Sequence, residues 1–234
     1  MRFNLSNRLS KLLTSPHPTW QSSKSRHRVC RFLEAEETRT PQGLRLNVGS
    51  GGRRFEVPTI NLDLMAGHEV DVRGDVLRLP LKAESFDSIV CTGVLEHVAD
   101  APAAVQEIFR VLKPEGRVFF EIPFMQTYHA APGDYYRWTP TGLQQVLQAF
   151  TLLEWHPVAG PASALAWCFQ ETMAMAFSLE RQVLYKIGLR IFGYLAKLIS
   201  LLDFFLEGHP MAWHAASGFS VLALKRRKAD CTNG

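Results

Sequence analysis

Between Tyr128 and Thr139 the chain sets three tyrosines (Tyr128, Tyr135, Tyr136), Trp138, His129, Asp134 and Arg137 within twelve positions. Aromatic side chains can wall an apolar cleft, and a few polar groups inside such a cleft fix a small molecule. His129 is the candidate general base, because an imidazole with an unperturbed pKa of about 6.5 exchanges a proton near neutrality. Asp134 either orients that ring or pairs with Arg137. The structural alternative for the same residues is an aromatic plug held by an Asp–Arg pair.

A second group of residues precedes this loop. The apolar run Leu46-Asn47-Val48 passes straight into Gly49-Ser50-Gly51-Gly52. Further segments read Ile60-Asn61-Leu62-Asp63, then Gly74-Asp75-Val76, then Phe86-Asp87-Ser88-Ile89-Val90-Cys91-Thr92. Open α/β sheets bind ligands beyond the carboxyl ends of their strands, and the unusual residues all fall at those ends. A carboxylate at a strand end can accept both hydroxyls of a ribose, which suits Asp63. Asp75 can accept an adenine amino proton while the Val76 amide serves a ring nitrogen. The dinucleotide fingerprint Gly-x-Gly-x-x-Gly fails, because Arg54 stands at its third glycine. Arg53 to Pro58 also leaves no room for a helix whose N-terminus would hold a pyrophosphate, so a ligand without phosphate is expected. Each glycine and each acid has an ordinary reading as a turn or cap; one shared ligand explains the set together.

Strands are expected at 44–48, 58–63, 69–75, 86–92, 117–124, 151–158 and 218–224. Asp100 can cap a helix with Pro102 in its first turn and Val105, Ile108, Phe109 and Leu112 on one face. Lys113-Pro114-Glu115-Gly116 is expected to end it and turn the chain, and another helix starts at Thr139-Pro140. Strands alternating with helical patterns imply a parallel sheet with crossovers. Residues 161–217 form an apolar, helix-patterned insertion before the last strand. Its stretch Val183–Leu206 carries Lys186, Arg190 and Lys197 on one stripe, and its uncharged runs fall short of the roughly 18–20 residues of a spanning helix. That pattern suits packing against protein or lying in a membrane interface.

The length of 234 residues fits one elaborated domain, and 47% hydrophobic with 21% charged residues excludes global disorder. The net charge of +4 is uneven: Arg2, Arg8, Lys11, Lys24, Arg26, Arg28 and Arg31 all precede the first acid, Glu34. Residues 1–43 are therefore read as a basic, partly flexible leader, either transit-like or amphipathic, and 226–234 as a basic tail. The core is expected at 44–160 with its last strand at 218–225. The four cysteines form no Cys-x-x-Cys pair and His209 with His214 lacks a third ligand, so no metal site is expected. Reduced thiols point to a cytoplasmic protein, with membrane association open.

Residues 44–124 resemble the class I S-adenosylmethionine-dependent methyltransferases, in their type 11 small-molecule group. The resemblance rests on Leu46–Gly52, Asn61–Asp63, Gly74–Pro80, Ser85–Val98 and Arg110–Gly116. It implies an α/β, Rossmann-like methyltransferase sheet, mostly parallel with its last strand antiparallel, and S-adenosylmethionine as cofactor. It implies that Asn47, Gly49, Ser50, Gly51, Asp63, Asp75, Val76, Cys91 and Thr92 bind the cofactor. His129 and Asp134 then fall on the catalytic side, with Tyr128, Tyr135, Tyr136, Arg137 and Trp138 toward a small-molecule acceptor, apolar or lipid-linked. Two departures stand out: Asn47 replaces the family's acid, and Arg53 replaces a third glycine. They favour the alternative of a non-catalytic, methyltransferase-like module for membrane or subunit contact. Glu96 and His97 are expected to organise the following helix, and Cys91 to be a small buried strand residue. Nucleic acid is an unlikely substrate, since Cys91-Thr92-Gly93-Val94 lacks the motifs of base-methylating relatives. The oligomeric state is not readable.

Overall fold

Seven short, largely apolar segments find their hydrogen-bond partners in one sheet. In the computed structural model, which describes residues 22–130 and 132–227, they are β1 (Arg45–Val48), β2 (Ile60–Asp63), β3 (Val72–Arg73), β4 (Phe86–Thr92), β5 (Leu112–Pro123), β6 (Thr151–Pro157) and β7 (Gly218–Leu224). Their order is β3-β2-β1-β4-β5-β7-β6. The first five pair in parallel, and β7 runs antiparallel between β5 and β6. The register fixes the edge that matters. Val48 lies level with both Leu62 and Cys91, so Gly49, Asp63 and Thr92 emerge side by side. Asp63 pairs Arg73, which puts Asp75 just past the same edge.

Between β4 and β5 the expected helix forms as α2 (Ala101–Val111), with Asp100 accepting from Ala103 N. Ala104, Val105, Ile108 and Val111 are buried along one side. The helix ends at Val111, directly before Lys113–Gly116 as expected, and those residues turn the chain within the range of β5, where Glu115 takes a φ of 64° and the β4–β5 register shifts. A short α3 (Pro140–Val146) follows, capped by the Thr139 side chain on Gly142 N. Phe109 and Phe120 both meet Phe150 edge-on at 5.2 and 5.8 Å, marking the core on one face of the sheet.

The opposite face corrects the leader reading of residues 1–43. Ser23–Arg39 is a helix, α1, whose Ser25, Val29, Phe32, Leu33 and Glu36 are buried. These positions recur every three or four residues, and Phe32 stacks on Phe119 of β5 at 5.7 Å. Lys24, Arg26 and Arg31 lie on the exposed side of this packed helix, so this part of the basic run is a helix's outer face. A cavity of about 550 Å³ beside α1 is lined by Arg28, Arg31, Phe32, Arg117, Phe119 and His156, none of them an expected site residue. The remaining leader, residues 1–21, and the tail from 228 lie outside the described residues.

The described residues divide into two compact units, one of them formed by residues 125–127 and 159–217. Within it, α4 (Pro161–Ser178) and α5 (Gln182–Ser200) form a hairpin through Leu179 and Glu180, both at positive φ. Gly188 lets the helices close, since a Cβ there would come 2.9 Å from Ala174 Cα. The long helix expected over 183–206 breaks at Leu201–Leu202 and resumes as α6 (Asp203–Leu206). The break carries Asp203 back to the start of α4, where its buried carboxylate accepts from Ala162 N and Ser163 N, both at 2.9 Å. Among the described residues no helix is long and apolar enough to cross a membrane.

Candidate active site

The turn after β1 is built by backbone. Gly49, Gly51 and Gly52 have φ of 64°, 54° and 76°, a region that residues with a Cβ seldom adopt. A Cβ on Gly49 would also collide with Val94 Cγ2, whereas one on Gly51 or Gly52 would meet open space. The Asp63 carboxylate ties this turn to β2, accepting from Gly51 N at 2.8 Å and from Met65 N at 2.9 Å. Ser50 is buried, and its hydroxyl has no partner among the described residues. Asn47 is buried beneath the turn, donating through Nδ2 to Arg53 O (3.1 Å) and Asn61 Oδ1 (3.0 Å). The first crossover, residues 49–59, contains no helix, as the sequence implies.

Farther along the edge, Asp75 accepts from Leu77 N at 2.9 Å and Val76 is buried. Cys91 is buried in β4, and desolvation pushes its thiol far up, which keeps it protonated and a poor nucleophile. Gly93, at a φ of 66°, anchors the exit of β4 by donating to Glu121 O at 3.0 Å.

The loop after β5 returns to β4. Tyr135 N donates to Glu96 O at 2.7 Å, and Trp138 N donates to Pro123 O at 3.3 Å. Asp134, almost fully buried, takes Arg137 at both carboxylate oxygens and the His129 N–H at 2.8 Å. Burial pushes the Asp134 carboxyl up, but Arg137 and the His129 amide outweigh it and hold it at about 2. Arg137 Nη2 also donates to His129 Nδ1 at 3.1 Å. A guanidinium has no acceptor, so the His129 ring is neutral with its δ lone pair engaged. Asp134 thus pairs with Arg137 rather than orienting the imidazole directly, its Oδ2 lying 3.8 Å from Nδ1. Tyr136 donates to Ala99 O and stacks toward buried Trp138, their centroids 5.2 Å apart, and all three tyrosines, Tyr128, Tyr135 and Tyr136, are exposed.

The structure adds two residues to this constellation. Glu96 and His97 form a 3-10 turn just past β4, and the His97 ring meets that of His129 edge-on at 5.3 Å. Burial pushes the Glu96 carboxyl up to about 7. The sequence signal was the Glu-His pair itself at a strand's carboxyl end; its partner lies more than thirty residues on, a distance that only the fold closes.

An open sheet of this order, with a glycine turn, strand-end acids and a loop cluster on one edge, defines the class I methyltransferase fold. The family model described as a methyltransferase domain matches residues 58–120, a minor part of the chain. A demethylmenaquinone methyltransferase of Streptomyces griseus is 44% identical over 45 residues, 19% of this chain and 20% of that protein. The chain thus spans about a fifth of the length of that curated relative. Among solved structures, Burkholderia thailandensis 1,6-didemethyltoxoflavin-N1-methyltransferase, bound to 1,6-didemethyltoxoflavin and S-adenosylhomocysteine, superposes with a TM-score of 0.53 at 16% identity over 95% of this chain and 88% of that one. The cyclase SpnF does so with a TM-score of 0.50 at 19% identity over 95% and 92%.

Proposed function

We propose that the protein is an S-adenosylmethionine-dependent methyltransferase acting on a small acceptor. The observation that carries this reading is the bond between Gly51 N and Asp63, which sets an open glycine turn, a partnerless Ser50 hydroxyl and a strand-end acid at one edge. Those residues fit an adenosine with an amino-acid tail: Asp63 toward the ribose, Asp75 and Val76 toward the adenine, the 49–52 turn around the tail. The cofactor supplies a methyl group already activated by a sulfonium charge, so the chain's task is to position, to exclude water and to move a proton. Thr92 and Cys91 line the approach, and Tyr136, Trp138, Tyr128, Tyr135 and Arg137 frame the acceptor. A hydroxyl acceptor must release a proton, and the Glu96, His97 and His129 group receives it. Arg137 holds the His129 ring in place until then. A His129→Ala variant that kept full turnover at saturating acceptor would remove that ring from the mechanism.

Support for a lipid-like acceptor comes from the demethylmenaquinone relative and from the helical hairpin. Ile187, Ile191, Leu195 and Leu198 of α5 and Phe204 and Phe205 beyond it are exposed, with Lys186 and Arg190 exposed among them. An apolar row flanked by cations matches an anionic lipid surface.

A second reading, a methyltransferase-like module without catalysis, is favoured by Asn47 at the acid position and by the missing crossover helix. The cyclase SpnF is a reminder that fold does not fix chemistry. Calorimetric titration with S-adenosylmethionine separates the readings. Binding should be detected and should weaken about tenfold to a hundredfold in Asp63→Ala, the scale of hydrogen bonds to a charged group. No binding at millimolar cofactor leaves the module.

A further inference from the structure

Glu96, His97 and His129 each present one donor atom, and the three atoms lie within 4.8 Å of one another. Their protonation is constrained by their neighbours. His97 Nδ1 approaches Gly133 O at 2.5 Å, and a carbonyl only accepts, so Nδ1 carries a proton, and in the neutral ring Nε2 presents a lone pair. That Nε2 faces Glu96 Oε1 across 3.9 Å, and the buried Glu96 Oε2 has no partner. Two lone-pair donors facing each other out of water repel unless a proton or a metal cation stands between them. An N–H to a backbone carbonyl on the far ring nitrogen is also the arrangement that orients metal-bound histidines.

His129 completes the set. Its ring is neutral, and Arg137, which occupies its δ lone pair, holds both Asp134 oxygens independently. An ion can therefore take that lone pair while Arg137 stays paired, in competition with the acceptor proton assigned to the same group. Bonds of about 2.0–2.2 Å place tetrahedral ligand atoms roughly 3.4 Å apart, so donors up to 4.8 Å apart need to close in by at most about 1.4 Å.

We propose that Glu96, His97 and His129 form a binding site for a divalent first-row transition metal ion of the Zn²⁺ type. Two imidazoles and one carboxylate are a ligand set that zinc accepts, and they leave a position open to an oxygen of a bound molecule. This site is distinct from the His209 and His214 pair, which has no third ligand among the described residues.

The test is titration of the chelator-treated full-length protein with Co²⁺ and Zn²⁺, followed by calorimetry and visible absorption, with no methyl donor present. The outcome is thereby independent of methyl transfer. One ion per chain is expected, with Co²⁺ bands of low-coordinate nitrogen and oxygen ligation that Zn²⁺ abolishes. His97→Ala, His129→Ala and Glu96→Gln should each bind at least about tenfold more weakly, since even outer partners of metal ligands cost that much. His129 lies on a loop with its side chain 31% exposed, so its variant keeps the test valid should His97→Ala misfold. Lack of stoichiometric binding would mean that a proton sits between Glu96 and His97, and would overturn the proposal. Binding that disappears in His209→Ala but survives in His129→Ala would overturn it equally.

Discussion

Glu96 and Asp134 lie in one cluster, yet their environments push them apart. Glu96 is buried with one oxygen unpartnered, and its carboxyl rises to about 7; Asp134 is buried too, but Arg137 and an amide hold it at about 2. The signs of their pH effects are opposite. A raised carboxyl binds its proton more tightly in the native state, so stability falls as pH climbs from the unfolded value near 4.5 through about 7. A depressed carboxyl stabilises above its ordinary value and loses that contribution as pH falls toward about 2. Metal-free Glu96→Gln should therefore gain stability over the parent as pH rises, by on the order of 2–3 kcal/mol near pH 8 and little near pH 4. Urea denaturation at several pH values reads this directly, and parallel curves for the two proteins would show that Glu96 ionises normally. At this scale the sequence was partly legible. His129, Asp134 and Arg137 announce themselves by crowding in one aromatic loop. Glu96 and His97 do not, because what sets their chemistry is burial and the Gly133 carbonyl, neither of which has a local signature.

Elements decide where those residues sit, and two of them rest on single contacts. Gly49 needs both a positive φ and the absence of a Cβ that would strike Val94. Gly49→Ala should cost roughly 1–3 kcal/mol and disturb the turn that Asp63 holds, which thermal unfolding together with cofactor titration would show. If it binds cofactor with unchanged stability, the turn is softer than its geometry implies. Asp203 caps α4 from beyond α5, satisfying two backbone N–H groups at once, and Gly160 leaves the room it needs. Asp203→Ala should lower stability by about 1–2 kcal/mol, and urea midpoints compared with those of an exposed-surface control variant would measure it. β4 and β7 were legible to the residue, because each is an apolar run bounded by turn residues. β3 shrinks to two residues at the sheet's edge, where one side has no neighbour to extend the ladder. α1 was hidden by its own charge: seven basic residues ahead of Glu34 mask the Val29, Phe32 and Leu33 spacing that buries it. Leu33→Ala, removing a side chain 1% exposed, should cost about 2–5 kcal/mol, whereas a flexible leader would lose nothing.

At the scale of the whole molecule, the question is why a chain with a net charge of +4 leaves so much apolar surface uncovered. Isolated exposed hydrophobics are ordinary, but a contiguous apolar patch marks a contact. In the helical hairpin the exposure is concentrated: Leu179, Val183, Leu201, Phe204 and Phe205 are each about two-thirds exposed or more, reaching 82% at Phe204. The hairpin closes through Gly188 on Ala174 and through Phe192, which meets Phe169 and Phe177 edge-on, while these exposed residues point away from that contact. Lys186 and Arg190 stand exposed beside them, and each such cation near an anionic bilayer contributes on the order of 1 kcal/mol. If this face meets lipid, the protein should co-sediment with vesicles containing phosphatidylserine, less with purely zwitterionic ones, and less as salt rises. The double change Phe204→Ser, Phe205→Ser should lower the partition about tenfold or more, since each ring buries on the order of 1.5–3 kcal/mol of apolar surface, while circular dichroism and cofactor binding stay unchanged. Equal binding to both vesicle types with no response to these substitutions would assign the patch to protein contact instead. A dimer that the same substitutions split into monomers would make the same assignment by a second route.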